Sequence, residues 1–244
     1  TQVLCYPNNI LALEYIKSMQ INNMDMEILP IKRIDAHHDS IIHSDNIASA
    51  KHIRDLMRAQ NNIYKKYIPE NTWTLIQEEI SHQRAPADTK YIERGILTKM
   101  HTISKEKLKN LPDVTEGLEN KFKKAIANSS SLTELIQNVK SKRYTYARLQ
   151  KIPMYAFLGI KKKHLNTKPP YIKILGLNKK GQEILSVAKQ TACLPIISKN
   201  SQIQSCDKLT QKIFKRQETY SHIYELCMPQ TQPLDRNIIY VTDN

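Results

Sequence analysis

Glycine is scarce in this sequence, and its absence from the first third excludes two common kinds of phosphate-binding loop there. Only 5 of the 244 residues are glycine, and none precedes Gly95. Walker loops and dinucleotide-binding loops both need glycines, because their backbones approach the phosphates closely. A nucleotide site in the first third must therefore hold phosphates by other means.

Long apolar runs, leader segments and cysteine motifs are also missing from the sequence. No apolar run approaches the roughly 20 residues that cross a bilayer, and no basic-then-apolar leader is present, so we expect no membrane association. The four cysteines have neither metal-ligand nor redox spacing, which predicts no metal site. Free thiols are typical of the reducing cytoplasm, so we expect a cytoplasmic location.

Positive charge is present in excess, but only in the second part of the chain. Residues 1–84 contain 9 Lys and Arg against 10 Asp and Glu, whereas residues 85–244 contain 28 against 13. This asymmetry indicates a polyanionic partner for the second part, with nucleic acid first and a membrane surface second. The alternative is a solvated basic surface that aids solubility.

Apolar periodicity in the first third indicates part of an α/β domain. Residues 8–20 predict a helix, residues 26–33 predict a strand, and a second helix is predicted to begin at about Ser49. The order helix, strand, loop, helix is typical of an α/β layer arrangement. The strands are too few for a complete parallel sheet, so this portion is predicted to be incomplete.

From about Tyr67 the pattern becomes mainly helical. Pro153 is predicted to break or kink the chain after the longest helix. Residues 171–190 predict a strand, a turn and a helix, and the weakly patterned remainder has LPIIS and NIIYVT as predicted strands. The predicted helices cover residues 70–82, 104–112, 114–128 and 130–152.

The longest predicted helix would carry a cationic face. At about 100° per residue, the residues of this face share one broad side of the helix. Cations around an aromatic ring suit a phosphate backbone with an unstacked base, although a solvated helix face is the alternative. The charge excess around this helix favours RNA binding. The face consists of Lys140, Arg143, Tyr144, Arg148 and Lys151.

The predicted helix start at Ser49 suits an anion. A helix N-terminus presents free N–H groups and a positive dipole end, to which Ser49 adds a hydroxyl. Arg54 can bind a phosphate through two parallel hydrogen bonds. On this segment alone, an ordinary serine cap and a surface arginine are the simpler interpretation.

Six segments, in order along most of the chain, resemble the bacterial tRNA(Met) cytidine acetate ligase family, within the nucleotidyltransferase-like superfamily. The most specific are TEGLEN (115–120) and KRYTYARLQ (142–150), which we know together from no other family. The six segments are YPNNILALEYIKS, IKRIDAHHD, IASAKHIRDLM, VTEGLENKFKKAI, KSKRYTYARLQKI and YIKILGLNKKGQEIL.

The resemblance implies a fold and a reaction. Residues 1–66 would be an incomplete α/β nucleotidyltransferase (Rossmann-like) portion, and residues 67–244 a mainly α-helical, basic, tRNA-binding C-terminal domain. ATP, which we expect to arrive with Mg²⁺, and acetate would give acetyl-adenylate and pyrophosphate. The acetyl group would then pass to the exocyclic N4 of the wobble cytidine of elongator tRNA(Met).

The resemblance also implies residue roles in ATP binding, while it assigns no catalytic residue. Asn8 and Arg33 match positions that contact ATP in this family. Ser49 and Arg54 fall where related nucleotidyltransferases carry a serine-rich phosphate motif. We therefore expect Ser49 both to cap its helix and to face the triphosphate.

One family feature is missing. The family opens with a strand and an H-x-G-H motif that binds ATP phosphates, and no such motif occurs in these 244 residues. We expect the chain to be a fragment, because Asn8 and Arg33 are present, and to show little adenylation alone. The alternatives are a non-catalytic RNA-binding paralogue and a nucleotidyltransferase that uses another acyl or phosphoryl substrate.

Overall fold

A computed structural model of the chain describes residues 4, 6–31, 47–234 and 237–241. The chain divides into two compact units, Thr1–Ser81 and His82–Asn244. The boundary predicted between residues 66 and 67 falls inside the first unit, at the end of a 3-10 helix over Asn62–Tyr67. The assignment of nucleotide and RNA binding to separate domains stays a prediction.

The first unit contains three α-helices among its described residues. Helices α1 (Pro7–Ile21), α2 (Ala50–Arg58) and α3 (Glu70–Ser81) confirm the helices predicted there. The strand predicted at 26–33 is wrong over its described part, because residues 24–31 have no regular structure. All their side chains are exposed, so no buried face selects a strand, and Pro30 lacks the N–H that a ladder needs.

The described core of the first unit is centred on Tyr64. Its ring lies 5.2 Å from the Trp73 ring, and its hydroxyl accepts a hydrogen bond from Gln77 Nε2 at 3.1 Å, which links the 3-10 helix to α3. Helix α1 has no single apolar face, because its apolar and polar side chains are mixed around it, and five of its large apolar side chains are exposed. They are Ile10, Leu11, Leu13, Tyr15 and Ile21.

Five helices of the second unit enclose its main core. They are α4 (Glu93–Thr102), α5 (Lys105–Lys109), α6 (Leu118–Ile126), α7 (Leu132–Val139) and α8 (Tyr146–Leu158). Helix α6 packs against α4, α5 and α7, and α4 packs against α8. The fully buried side chains at the centre include Leu118, Phe122 and Leu149. Helices α5 and α6 confirm their predictions, whereas α4 was not predicted.

The single helix predicted over 130–152 is wrong, because the chain forms α7 and α8 with a turn between them. Ser131 and Thr145 are both N-caps, and their hydroxyls accept hydrogen bonds from Glu134 N–H and Arg148 N–H. The Thr145 cap starts a new helix where the prediction continued the old one. The chain does not break at Pro153, because the buried Pro153 lies inside α8, and the kink that was the alternative there stays a prediction.

The remainder of the second unit combines helices with four very short strands. Strand β1 (Ile172–Lys173) pairs in parallel with β3 (Ile196–Ile197), and β2 (Gly176–Leu177) pairs in parallel with β4 (Ile239–Tyr240). These strands confirm the predicted strand segments. The helices here are α9 (Lys162–Leu165), α10 (Lys179–Thr191), a 3-10 helix at Asn200–Ser205, and α11 (Lys208–Glu225).

Helix α11 was not predicted, although it is the longest helix in the described part of the chain. Asp207 caps it by accepting hydrogen bonds from the N–H groups of Leu209 and Thr210. Only a narrow stripe, including Thr210 and Phe214, is buried, so its apolar pattern is weak. None of the helices in the described ranges is long and apolar enough to span a bilayer.

Candidate functional site

Ser49 forms the N-cap of α2 in the first unit. Its side chain is buried, and Oγ accepts a hydrogen bond from the His52 N–H at 3.2 Å. The extended backbone of Ser49, with φ −69° and ψ 147°, is the usual conformation of an N-cap. The predicted capping role is thereby confirmed, and its contact with a phosphate stays a prediction.

Two of the other residues predicted to bind ATP, Asn8 and Arg54, lie on α1 and α2 of the first unit. Asn8 is exposed in the first turn of α1, and Arg54 is exposed on α2. Arg33 lies outside the described residues. No hydrogen bond or ion pair between described residues joins Asn8, Ser49 and Arg54 to one another, so their joint contact with ATP stays a prediction.

The two most specific sequence segments meet in the second unit. Arg148 Nε and Nη2 both donate to the carbonyl oxygen of Asp113, at 2.9 Å and 2.8 Å. Nη2 also donates to Thr115 Oγ1 at 2.6 Å. Arg143 Nη1 pairs with Glu116 Oε2 at 3.0 Å. KRYTYARLQ therefore holds TEGLEN through side chains of both segments.

The segment held in this way, residues 113–117, has an unusual backbone. Asp113 and Glu116 have φ values of 62° and 56°, and Gly117, the N-cap of α6, has 78°. A left-handed conformation costs a non-glycine residue roughly 1–2 kcal/mol. Such a turn persists only where neighbouring groups over-determine it, and the Arg148 guanidinium does so here.

Tyr144 lies inside this junction, which corrects the prediction of one cationic helix face. Its side chain is only 3% exposed, with Lys121 Nζ at 5.7 Å and Arg148 Cζ at 5.1 Å from its ring centroid. Lys140 Nζ donates to the carbonyl oxygens of Tyr144 and Ser141. Since the ring is buried against cations, it offers no open face on which an RNA base could stack.

Three of the predicted RNA-binding cations are exposed, namely Lys140, Arg143 and Lys151, although the Lys140 ammonium donates to backbone oxygens. The Arg143 side chain is 67% exposed despite its pairing with Glu116, and Lys151 is exposed on α8. An exposed ion pair contributes only about 0–1 kcal/mol. Arg143 can therefore exchange its carboxylate partner for a phosphate at little cost.

A polar contact closes the same junction from α8. The Tyr155 hydroxyl donates to Asp113 Oδ2 at 3.5 Å. Burial, and then the Asp113 carboxylate, raise the pKa of Tyr155, so it stays a neutral donor in the physiological range.

In the described ranges no group of three His, Cys, Asp or Glu could hold a metal ion, and Cys193, Cys206 and Cys227 are free thiols.

The sequence analysis missed a continuous stretch without acidic residues. Residues 135–182 contain no Asp or Glu and 12 Lys and Arg. The stretch runs from α7 to the start of α10, so its charge is spread over several elements instead of one helix face. A scan for the absence of acidic residues would have found it.

Replacement of Arg148 tests whether it acts as a structural brace. Arg148→Met keeps much of the side-chain volume and removes all three hydrogen bonds to the 113–117 turn. Hydrogen bonds from charged groups contribute about 1.5–3 kcal/mol, so we expect the free energy of unfolding to fall by about 2 kcal/mol. Urea unfolding followed by helical circular dichroism measures it, with Lys151→Met as the exposed control on the same helix. Equal stability of the two variants would contradict the brace.

Comparison with known proteins agrees with the resemblance seen in the sequence. A tRNA(Met) cytidine acetate ligase from Thermosipho africanus is 33% identical over 198 residues, which are 80% of this chain and 47% of that protein. One from Clostridium tetani is 35% identical over 207 residues, 81% of this chain and 50% of that protein. The chain thus spans about half the length of these relatives.

The fold agrees as well. The crystal structure of Thermotoga maritima TmcAL (apo, form I) matches with a TM-score of 0.87 at 25% identity, over 98% of this chain and 62% of that chain. The sequence profile described as HIGH Nucleotidyl Transferase matches residues 1–237. Because this match covers nearly the whole chain, the chain belongs to the HIGH nucleotidyltransferase family.

Proposed function

We propose that the protein carrying this chain is an ATP-dependent ligase that acetylates the wobble cytidine of elongator tRNA(Met). The observation that carries the proposal is the similarity over about four-fifths of the chain to proteins named tRNA(Met) cytidine acetate ligase. The cationic second unit supports it, because the acid-free stretch suits an RNA substrate.

The first step would join acetate to AMP. A carboxylate oxygen of acetate attacks the α-phosphorus of ATP, the bond to the bridging oxygen breaks, and pyrophosphate leaves with acetyl-adenylate as product. This step needs alignment of acetate with the α-phosphate and neutralisation of the departing charge, not covalent catalysis by the protein. Mg²⁺ is expected to accompany the triphosphate as part of the substrate.

We expect the first unit to supply these contacts. The capped N-terminus of α2 offers partial positive charge and N–H donors to a phosphate, and Arg54 on the same helix can add a guanidinium. Asn8 and Arg33 are the further ATP contacts that the family resemblance implies. Each contact that strengthens as pyrophosphate leaves would lower the barrier by about 2–4 kcal/mol.

The second step would transfer the acetyl group to RNA. The exocyclic N4 amino group of cytidine attacks the acetyl carbonyl, loses a proton, and displaces AMP. We expect the second unit to hold the tRNA, with Arg143 and Lys151 on phosphates. Arg148 would act indirectly, because it braces the 113–117 turn. Tyr144 and Lys140 would support it, since the Tyr144 ring packs against Arg148 and Lys140 binds the carbonyl oxygens of Ser141 and Tyr144.

Acetate-dependent exchange of pyrophosphate into ATP tests the proposed chemistry. With the protein at its natural length, we expect exchange with acetate and formation of N4-acetylcytidine in elongator tRNA(Met), measured by mass spectrometry of nuclease digests. Exchange that requires a different carboxylate would contradict acetate as substrate. Binding of tRNA without any exchange would favour the non-catalytic RNA-binding alternative.

Arg33 can be tested separately from RNA binding. Arg33→Ala should raise the ATP concentration needed for half-maximal exchange by about tenfold or more, because a charged hydrogen bond to phosphate is lost. The affinity for tRNA, measured by filter binding, should stay unchanged. Lys17→Ala, an exposed cation of α1 in the same unit, is the matched control. A variant that loses tRNA affinity and keeps its ATP requirement would refute the assignment.

Arg143 tests the RNA-facing role of the KRYTYARLQ segment. Arg143→Gln removes an exposed cation, so we expect weaker tRNA binding and a salt dependence whose log–log slope falls by about 1. The stability should change by less than about 0.5 kcal/mol, because the Glu116 pair is exposed. Lys17→Gln is the control for an equal charge change. Unaltered tRNA affinity at several salt concentrations would remove Arg143 from the interface.

A further inference from the structure

A cleft of about 510 Å³ lies in the second unit, apart from the junction of the two motif segments. One wall is a face of α11, formed at helical spacing by Ile213, Arg216, Gln217 and Tyr220. A second wall is α9 with the loop that follows it, up to Tyr171 just before β1. The Tyr171 hydroxyl donates to Gln217 Oε1, which ties the two walls together.

The charge in this cleft is almost entirely positive. Lys168, Lys173 and Arg216 line it, and none of them pairs with a carboxylate among the residues that the structure describes. One carboxylate acts on the lining: Glu218 adds to burial in raising the pKa of Tyr171. An unneutralised group of cations in a concave site attracts an anion more strongly than the same cations on a convex surface.

His164 adds an uncharged hydrogen-bond donor to the cleft. Its Nδ1 accepts a hydrogen bond from the Lys161 N–H at 3.0 Å, so the neutral ring carries its proton on Nε2. Burial, followed by the nearby charges of Arg216 and three lysines, lowers the pKa of His164. The ring is therefore neutral at physiological pH, and it offers a donor N–H without adding to the repulsion among the cations.

The remaining walls suit a nucleoside better than a bare phosphate. Pro169, Pro170 and Leu165 give an apolar side, and the half-buried ring of Tyr220 lies on the α11 side near Arg216. The volume falls in the range of roughly 300–1,000 Å³ that small-molecule sites occupy. Aromatic rings beside guanidinium groups bind unstacked nucleotides through stacking and phosphate contacts.

We propose that this cleft binds one unstacked nucleotide of the tRNA substrate, with Arg216 and Lys168 on its phosphate and the Tyr220 side against its base or ribose. The proposal rests on the proposed function, since it names a second contact for the same RNA. It gives the acid-free stretch a defined docking point, because Lys168 and Lys173 belong to that stretch and Arg216 faces it from α11.

Substitution of Arg216 tests the cleft. With the protein at its natural length, Arg216→Gln should raise the Kd for elongator tRNA(Met) about tenfold and lower the log–log salt slope by about 0.7 to 1. Lys168→Gln, an exposed loop change that does not threaten folding, should act in the same direction. Lys215→Gln is the matched control, because Lys215 is exposed on the same helix and does not line the cleft. We expect it to change Kd less than about twofold.

A duplex probe separates the nucleotide cleft from a general electrostatic field. Against a blunt RNA duplex with as many phosphates as the tRNA, Arg216→Gln should bind like the wild type. If Arg216→Gln lost as much affinity for the duplex as for tRNA, the proposed nucleotide site would be wrong. It would also be wrong if Lys215→Gln lowered tRNA affinity as much as Arg216→Gln does. A raised ATP requirement with unchanged tRNA affinity would instead identify a free nucleotide as its ligand and also overturn the proposal.

If wild-type protein acetylates tRNA and Arg216→Gln does so with unchanged affinity, only this inference fails; if the wild type neither binds nor acetylates tRNA, the proposed function itself fails.

Discussion

The guanidinium of Arg148 is the contact on which the architecture of the second unit depends. It donates three hydrogen bonds to a turn in which Asp113, Glu116 and Gly117 all have positive φ. That turn sets the direction in which α6 starts, and α6 places Phe122 at the centre of the core against α4, α5 and α7. A planar fork that reaches two oxygens at once suits this task, and lysine could not replace it.

Positive charge therefore has two different uses within the second unit. Lys140 and Arg148 direct their donors to backbone oxygens of the second unit, where they hold neighbouring segments in place. Arg143, Lys168 and Arg216 lie where an outside phosphate can reach them. The same composition thus supplies internal hydrogen bonds and cations open to an outside anion, and net charge alone does not distinguish the two. The proposed ligase activity needs both, since a tRNA must be held in a fixed orientation for its cytidine amine to meet an activated acetyl group.

The sequence predicted those features that local physical rules determine. Helices α1, α2, α3, α5 and α6 could be predicted, because their apolar periodicity lies within short windows of sequence. The Ser49 cap of α2 is equally local. The division at Thr145, the burial of Tyr144 and the continuation of α8 through Pro153 depend on side chains from distant segments, which a helical wheel does not contain. Helix α11 was not predicted, because only a narrow stripe of it is buried and its apolar pattern is therefore weak. The contact between TEGLEN and KRYTYARLQ was not predicted: the family resemblance singled out both segments, but neither sequence specifies what it packs against.

The parallel pair of β2 and β4 has a consequence for the order in which the molecule comes apart. Two backbone hydrogen bonds, from Ile239 to Leu175 and from Val241 to Leu177, close a loop of roughly 60 residues. The side chains of Ile239 and Tyr240 remain largely exposed, so little apolar burial offsets the entropy of that closure. We therefore expect β4 to have low local stability. Its amides should exchange with solvent while the helical core around Phe122 stays folded.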